Sequence, residues 1–178
     1  MMKKLSFCLA LVIAILFSVT AFAQDRESQS LTLGYGFAVF NQPGKIGRVE
    51  GGYYDFIQLS YIYEKPFTEK LAFLIEPFAA YVNRPDSGFE GGVILSGKYY
   101  FREKERNGFY LTVGAGGAYT SINFEEQGTH GLFILQGGVG YKWKEFFIED
   151  RIRHYSNAGT ADPNRSVNSN IIVVGMDF

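Results

Sequence analysis

Large apolar residues recur at every second position through most of this chain. Leu31, Leu33, Tyr35, Phe37 and Val39 alternate with Thr32, Gly34, Gly36 and Ala38. A period of two marks a β-strand with two unlike faces, whereas a helix would repeat at three and four. Tyr53 to Tyr63 repeats the device, with Ile57, Leu59 and Tyr61 against Gln58 and Ser60. Leu71, Phe73 and Ile75 oppose Ala72 and Glu76, and Val93, Leu95, Tyr99 and Phe101 oppose Gly92, Ser96 and Lys98. Phe109, Leu111, Val113 and Tyr119 oppose Thr112, Gly114, Gly116 and Ala118. Phe133, Leu135, Val139 and Tyr141 oppose Gln136, Gly138, Gly140 and Lys142. A seventh run sets Phe146, Ile148 and Ile152 against Glu149, Arg151 and Arg153; an eighth sets Ile172, Val174, Met176 and Phe178 against Ser169 and Asp177. Each run is about ten residues, long enough to cross a bilayer at a tilt.

The connections alternate too. EKPFTEK (64–70), REKERNG (102–108) and KWKE (142–145) are short and charged, while Gly/Pro/Asn-rich loops are expected at 41–52, 83–89, 121–130 and 157–168. This asymmetry is that of an outer-membrane barrel, whose short turns are periplasmic. A soluble barrel would instead turn its large apolar side chains inward around a cavity. Here the opposite face carries Gly and Ala with Gln58, Glu76, Lys98, Gln136, Glu149, Arg151 and Arg153. Burying such charges costs several kcal/mol each unless they pair. The fold class expected is therefore all-β, an eight-stranded antiparallel transmembrane β-barrel with a filled, mutually paired polar lumen and no wide pore. A narrow channel conflicts with that lumen. The alternation ending in Phe178 is also of the kind read by barrel-assembly machinery.

Composition fixes the compartment. Lys3 and Lys4, the apolar run Phe7–Phe17 and Ala21-Phe22-Ala23 read as the three parts of a secretory signal peptide over 1–23. The barrel domain is then 24–178, a chain of 155 residues. Cys8 leaves with the signal, so no disulfide or thiol chemistry is expected. Removing Lys3 and Lys4 takes the formal charge from −1 to −3, too mild a balance to imply nucleic acid. His130 and His154 are too few for a metal site, and GAGGAY (114–119) lacks the strand-to-helix setting of a phosphate loop. No cofactor is implied. Localisation in a bacterial outer membrane, as a multi-pass barrel, follows.

Chemistry concentrates in RHYSNAG, Arg153–Gly159, at the end of the seventh strand. With a periplasmic N-terminus that strand ends at the outer surface. His154 and Ser156 share the lipid-facing parity of Ile148 and Ile152, and so meet the ester-linked acyl chains of lipid A in the lipopolysaccharide leaflet. Residues i and i+2 of a strand project together, their Cα atoms about 6.5–7 Å apart. An imidazole there can act as general base toward the hydroxyl, making Ser156 a nucleophile for an ester carbonyl. Asn157 follows, with an amide for the oxyanion. The bland alternative is an interfacial His hydrogen-bonded to a loop.

The wider stretch, HYSNAG on the penultimate strand followed by Pro163-Asn164 and a last strand ending in Phe, resembles the PagL family of outer-membrane lipid A 3-O-deacylases. The motif covers about the last thirty residues, and the strand layout extends the resemblance over 24–178. The resemblance implies a metal-free serine esterase that removes the 3-position hydroxyacyl chain of lipid A, with His154 the base, Ser156 the nucleophile and Asn157 an oxyanion donor. The family carries a glutamate twelve residues after the serine, which orients the histidine; here that position is Asn168. An Asn carbonyl can accept the imidazole N–H and set its tautomer, as in Cys-His-Asn enzymes, though it stabilises the imidazolium less than a carboxylate. Asn168 equally suits a turn residue at a strand start. Asp150 shares the outward parity but lies about 13 Å down the strand, too far for a direct bond. Asp162 is another carboxylate in reach of consideration. Tyr35, Tyr53, Tyr61, Tyr63, Tyr99, Phe101, Tyr141 and Trp143 are expected in interfacial girdles, and Lys45, Arg48 and Arg84 in outer loops as solvated charges or contacts to lipid A phosphates. Lipid A is the partner implied, and a homodimer is left open. The competing reading is a non-catalytic structural or adhesive eight-stranded outer-membrane barrel.

Overall fold

The computed structural model describes residues 27–102 and 106–178; the segment read as a signal peptide lies outside them. The strands are β1 (Ser28–Ala38), β2 (Arg48–Val49), β3 (Gly52–Tyr53), β4 (Asp55–Pro66), β5 (Leu71–Arg84), β6 (Gly88–Tyr100), β7 (Gly108–Thr120), β8 (Gly131–Trp143), β9 (Phe146–Ser156) and β10 (Val167–Asp177). Eight of them close into one antiparallel barrel in the order β1-β10-β9-β8-β7-β6-β5-β4. β2 and β3 form a small separate hairpin in the first outer loop. Closure comes from pairing β1 with β10, Ser30 opposite Asp177 through Ala38 opposite Ser169. This pairing leaves neither terminal strand with a free edge.

The alternation in the sequence becomes the two faces of the wall. Leu33, Leu59, Val113 and Phe133 are more than half exposed on the exterior, while Thr32, Ser60, Thr112 and Leu132 beside them are buried. An apolar exterior around a polar interior is the arrangement a bilayer requires, and the closed order of the strands gives each one a hydrogen-bonded neighbour on both sides. The lumen is filled by ion pairs and amides. Arg151 holds Glu76 at 2.8 Å and Glu149 at 2.9 Å. Arg153 donates to Gln58 at 2.7 Å and Gln136 at 2.9 Å. Lys98 pairs with Glu64 at 3.0 Å. Tyr54, Tyr100, Tyr110 and Tyr155 fill the remaining space as fully buried rings.

Small residues let these large ones fit. A Cβ on Gly140 would meet the Tyr110 ring at 2.2 Å, and one on Gly36 would meet the Phe56 ring at 2.2 Å. Aromatic pairs such as Tyr99–Phe101 and Phe109–Tyr141 belt the exterior near the short-turn end.

Two connections differ from the sequence-based expectation: the β2–β3 hairpin forms in the loop expected at 41–52 and takes Tyr53 out of the second barrel strand, and the loop after β5 is shorter. A loop over 83–89 is expected, but β5 runs on to Arg84 and β6 begins at Gly88. The strands extend because Arg84 binds Asp55 at the top of β4, with Nε–Oδ1 at 2.6 Å. The other outer connections knit together above the barrel. Glu126 accepts the Glu50 N–H at 2.6 Å, and Arg165 pairs with Glu50 and donates its own N–H to the Glu126 carbonyl.

Candidate active site

β9 ends at the barrel rim that carries the longer loops. In its last four residues Arg153 and Tyr155 point into the lumen, where both are fully buried, and His154 and Ser156 share the outward face of the exposed Ile152. The neighbours on that face come from the flanking strands. Leu135 on β8 stands across from His154 and Phe133 across from Ser156, while on β10 Asn168 stands across from His154.

Asn168 is the partner of the imidazole. Its Oδ1 lies 2.8 Å from His154 Nδ1. A carbonyl oxygen only accepts, so Nδ1 carries the proton and donates, leaving Nε2 as the ring nitrogen free to take one. Asn168 is itself held by Asn41, from the loop after β1. Asn168 N–H donates to Asn41 Oδ1 at 2.6 Å, Asn168 Nδ2 donates to the same oxygen at 3.3 Å, and Asn41 Nδ2 donates to the Asn168 carbonyl at 2.8 Å. Asn41 is not conspicuous in the sequence, where FNQPG reads only as turn chemistry. The Ser156 hydroxyl makes no hydrogen bond among the described residues. That is compatible with a nucleophile whose contact with its base tightens only on substrate binding.

The two carboxylates considered from sequence go elsewhere. Asp150 accepts a hydrogen bond from Asn170 on β10, which accounts for an acid on the outward face. Asp162 sits exposed in the loop beyond β9.

Asn157 corrects the expectation of an oxyanion donor. Its side chain is fully buried, and Nδ2 donates to the carbonyls of Gln127 at 2.5 Å, Ala161 at 2.9 Å and Pro163 at 2.9 Å. Its Oδ1 accepts the Gly159 N–H at 2.8 Å, and its own N–H goes to Asn164 Oδ1 at 3.1 Å. An amide whose donors already serve three carbonyls has none for a reaction intermediate. Asn157 instead ties the loop beyond β9 to the loop before β8.

Beside the pair, a shallow trough on the exterior is lined by Gly91, Gly117, Tyr119, Gly131, Phe133 and Thr160. Glycines facing outward make it, since they leave the wall without side chains, and Phe133 connects it to Ser156 across β8–β9. His130, the other histidine, is bound at Nδ1 to the Thr120 carbonyl at 2.8 Å. Arg48 and Arg84 both sit over the Tyr53 ring, at 4.4 and 5.1 Å from its centre.

The family model for lipid A 3-O-deacylase (PagL) matches residues 51–177. The chain belongs to the PagL family. The match takes in every barrel strand except β1, and with them His154, Ser156 and Asn168. A crystal structure of the outer membrane enzyme PagL is similar at TM-score 0.64 and 18% identity, over 83% of this chain and 98% of that one. The outer membrane protein Ail of Yersinia pestis is similar at TM-score 0.53 and 11% identity, over 86% of this chain and 100% of that one. The N-terminal β-barrel domain of Pseudomonas aeruginosa OprF follows at TM-score 0.51 and 14% identity, over 86% and 98%. These likenesses are of fold. No curated protein sequence matches the chain significantly.

Proposed function

We propose that this PagL-family barrel spans the bacterial outer membrane and removes the 3-position ester-linked hydroxyacyl chain from lipid A. In this reading the acyl chain lies along the exterior trough beside Phe133, and the sugar and its phosphates stay at the rim. Ser156 Oγ attacks the ester carbonyl carbon while its proton passes to His154 Nε2. The tetrahedral intermediate collapses by breaking the bond to the sugar oxygen, which takes the proton from the imidazolium and leaves as the 3-hydroxyl. Water then attacks the acyl-Ser156 ester, again with His154 as base, releasing the hydroxy fatty acid and restoring the hydroxyl.

The observation that carries the reading is the outward pair itself. The Nδ1–Asn168 bond holds His154 with its other nitrogen unprotonated, two residues from Ser156, on a face otherwise made for acyl chains. The test is mass spectrometry of lipid A from cells producing the wild type or Ser156→Ala. Wild-type cells should lose one hydroxyacyl mass at the 3-position, and Ser156→Ala cells should keep it. Identical acylation, with both proteins folded, would end the esterase reading. It would favour a non-catalytic structural or adhesive barrel, for which Asn168 in the place of the family's glutamate is the supporting feature.

A further inference from the structure

The hydrogen bonds of Asn41 go to Asn168 and not to His154 or Ser156, yet they determine which end of the Asn168 amide the imidazole meets. Asn41 is oriented without ambiguity, because its partners are backbone groups. The Asn168 N–H can only donate, so Asn41 must present Oδ1 to it at 2.6 Å; the Asn168 carbonyl can only accept, so Asn41 must present Nδ2 to it at 2.8 Å. That leaves Asn41 Oδ1 facing the Asn168 side chain, and an oxygen there selects the amide nitrogen, Nδ2 at 3.3 Å. The Asn168 carbonyl oxygen is thereby turned toward His154 Nδ1 at 2.8 Å. Were the amide reversed, its NH2 would face Nδ1, which could then only accept. The proton would move to Nε2, and the nitrogen needed to take the serine proton would already hold one.

From this chain of bonds we propose that Asn41 is a positioning residue that sets the tautomer of His154 through Asn168. The proposal deepens the deacylase reading and rests on it for its catalytic consequence. A glutamate at position 168 would not need such a partner, since the two oxygens of a carboxylate are alike and reversing them changes nothing. Asn41 supplies what an amide in that position lacks.

The test compares Asn41→Leu in two backgrounds. In the native background Asn41→Leu should lower kcat by about tenfold or more, because a general base contributes about 10²–10⁴-fold and the reversed amide withdraws it. In an Asn168→Glu background the same substitution should change kcat by less than about threefold, the non-additivity that marks two residues acting as a unit. A cost equal in both backgrounds would mean that Asn41 only supports the rim, and would overturn the proposal. The second measurement needs no substrate. The chain has only two histidines, so 15N-histidine spectra in detergent, at a pH where imidazole is neutral, can be assigned by comparison with His130→Gln. Wild type should show His154 protonated at Nδ1, and Asn41→Leu should shift protonation toward Nε2. An unchanged tautomer overturns the proposal. The shift on Asn41→Leu, together with a wild type that leaves lipid A intact, would uphold the Asn41–Asn168–His154 arrangement and remove the deacylase reading alone.

Discussion

Asn168 and His154 face each other across the β9–β10 pair, joined by a 2.8 Å hydrogen bond between amide oxygen and Nδ1. A neutral carbonyl thus stands where a charged oxygen would complete a triad. It gives the imidazole a partner and a direction, but no counter-charge for the imidazolium that the proposed attack would form.

Replacing Asn168 by Glu should therefore speed the reaction. The added charge supplies the counter-charge that an amide lacks for the imidazolium of the proposed attack, worth up to about tenfold in rate. Kinetics on a short-chain ester in detergent would read the change in kcat. An enzyme no faster than the wild type would contradict the role given to Asn168.

Asn157→Asp should disturb the loops before it disturbs the chemistry. A carboxylate would meet the carbonyls of Gln127, Ala161 and Pro163 where an NH2 now donates to them. Unpaired buried acceptors cost about 1–3 kcal/mol each, so segments 121–130 and 157–166 should become protease-sensitive in folded protein. A lowered kcat with unchanged proteolysis would restore Asn157 to the oxyanion.

Arg151→Leu should weaken the barrel without touching the rim. Arg151 is the shared partner of Glu76 and Glu149 in the lumen. Removing one member of a buried ion pair costs about 3–5 kcal/mol because the other is left uncompensated. Urea unfolding in lipid vesicles should show this loss, and Glu76→Gln combined with Arg151→Leu should recover part of it.

Glycine positions should divide by what a methyl group would meet. At Gly116 a Cβ would stand 2.2 Å from the Val93 carbonyl oxygen, which is backbone and cannot give way cheaply; at Gly97 nothing lies within 4 Å. Gly116→Ala should cost about 1–3 kcal/mol by overpacking, and Gly97→Ala should be near neutral. The vesicle unfolding assay that measures Arg151→Leu will separate them.

Much of this protein is written locally. A period of two fixes which side chains share a face, and short charged turns fix where strands reverse, so the barrel, its polar lumen and the outward direction of His154 and Ser156 can all be read along the chain. The same parity puts Asn157 on the opposite face from Ser156. What one strand cannot state is which atoms of distant segments will stand opposite each other. The barrel closes only when β1 meets β10, and that closure brings Asn41 to Asn168 across a separation of 127 residues. Likewise the carbonyls that occupy Asn157 belong to two loops, and Arg84 lengthens β5 only because Asp55 waits at the neighbouring rim. Strand faces follow from backbone geometry between adjacent residues, whereas hydrogen-bond partners follow from barrel closure, and the histidine's tautomer belongs to the second kind.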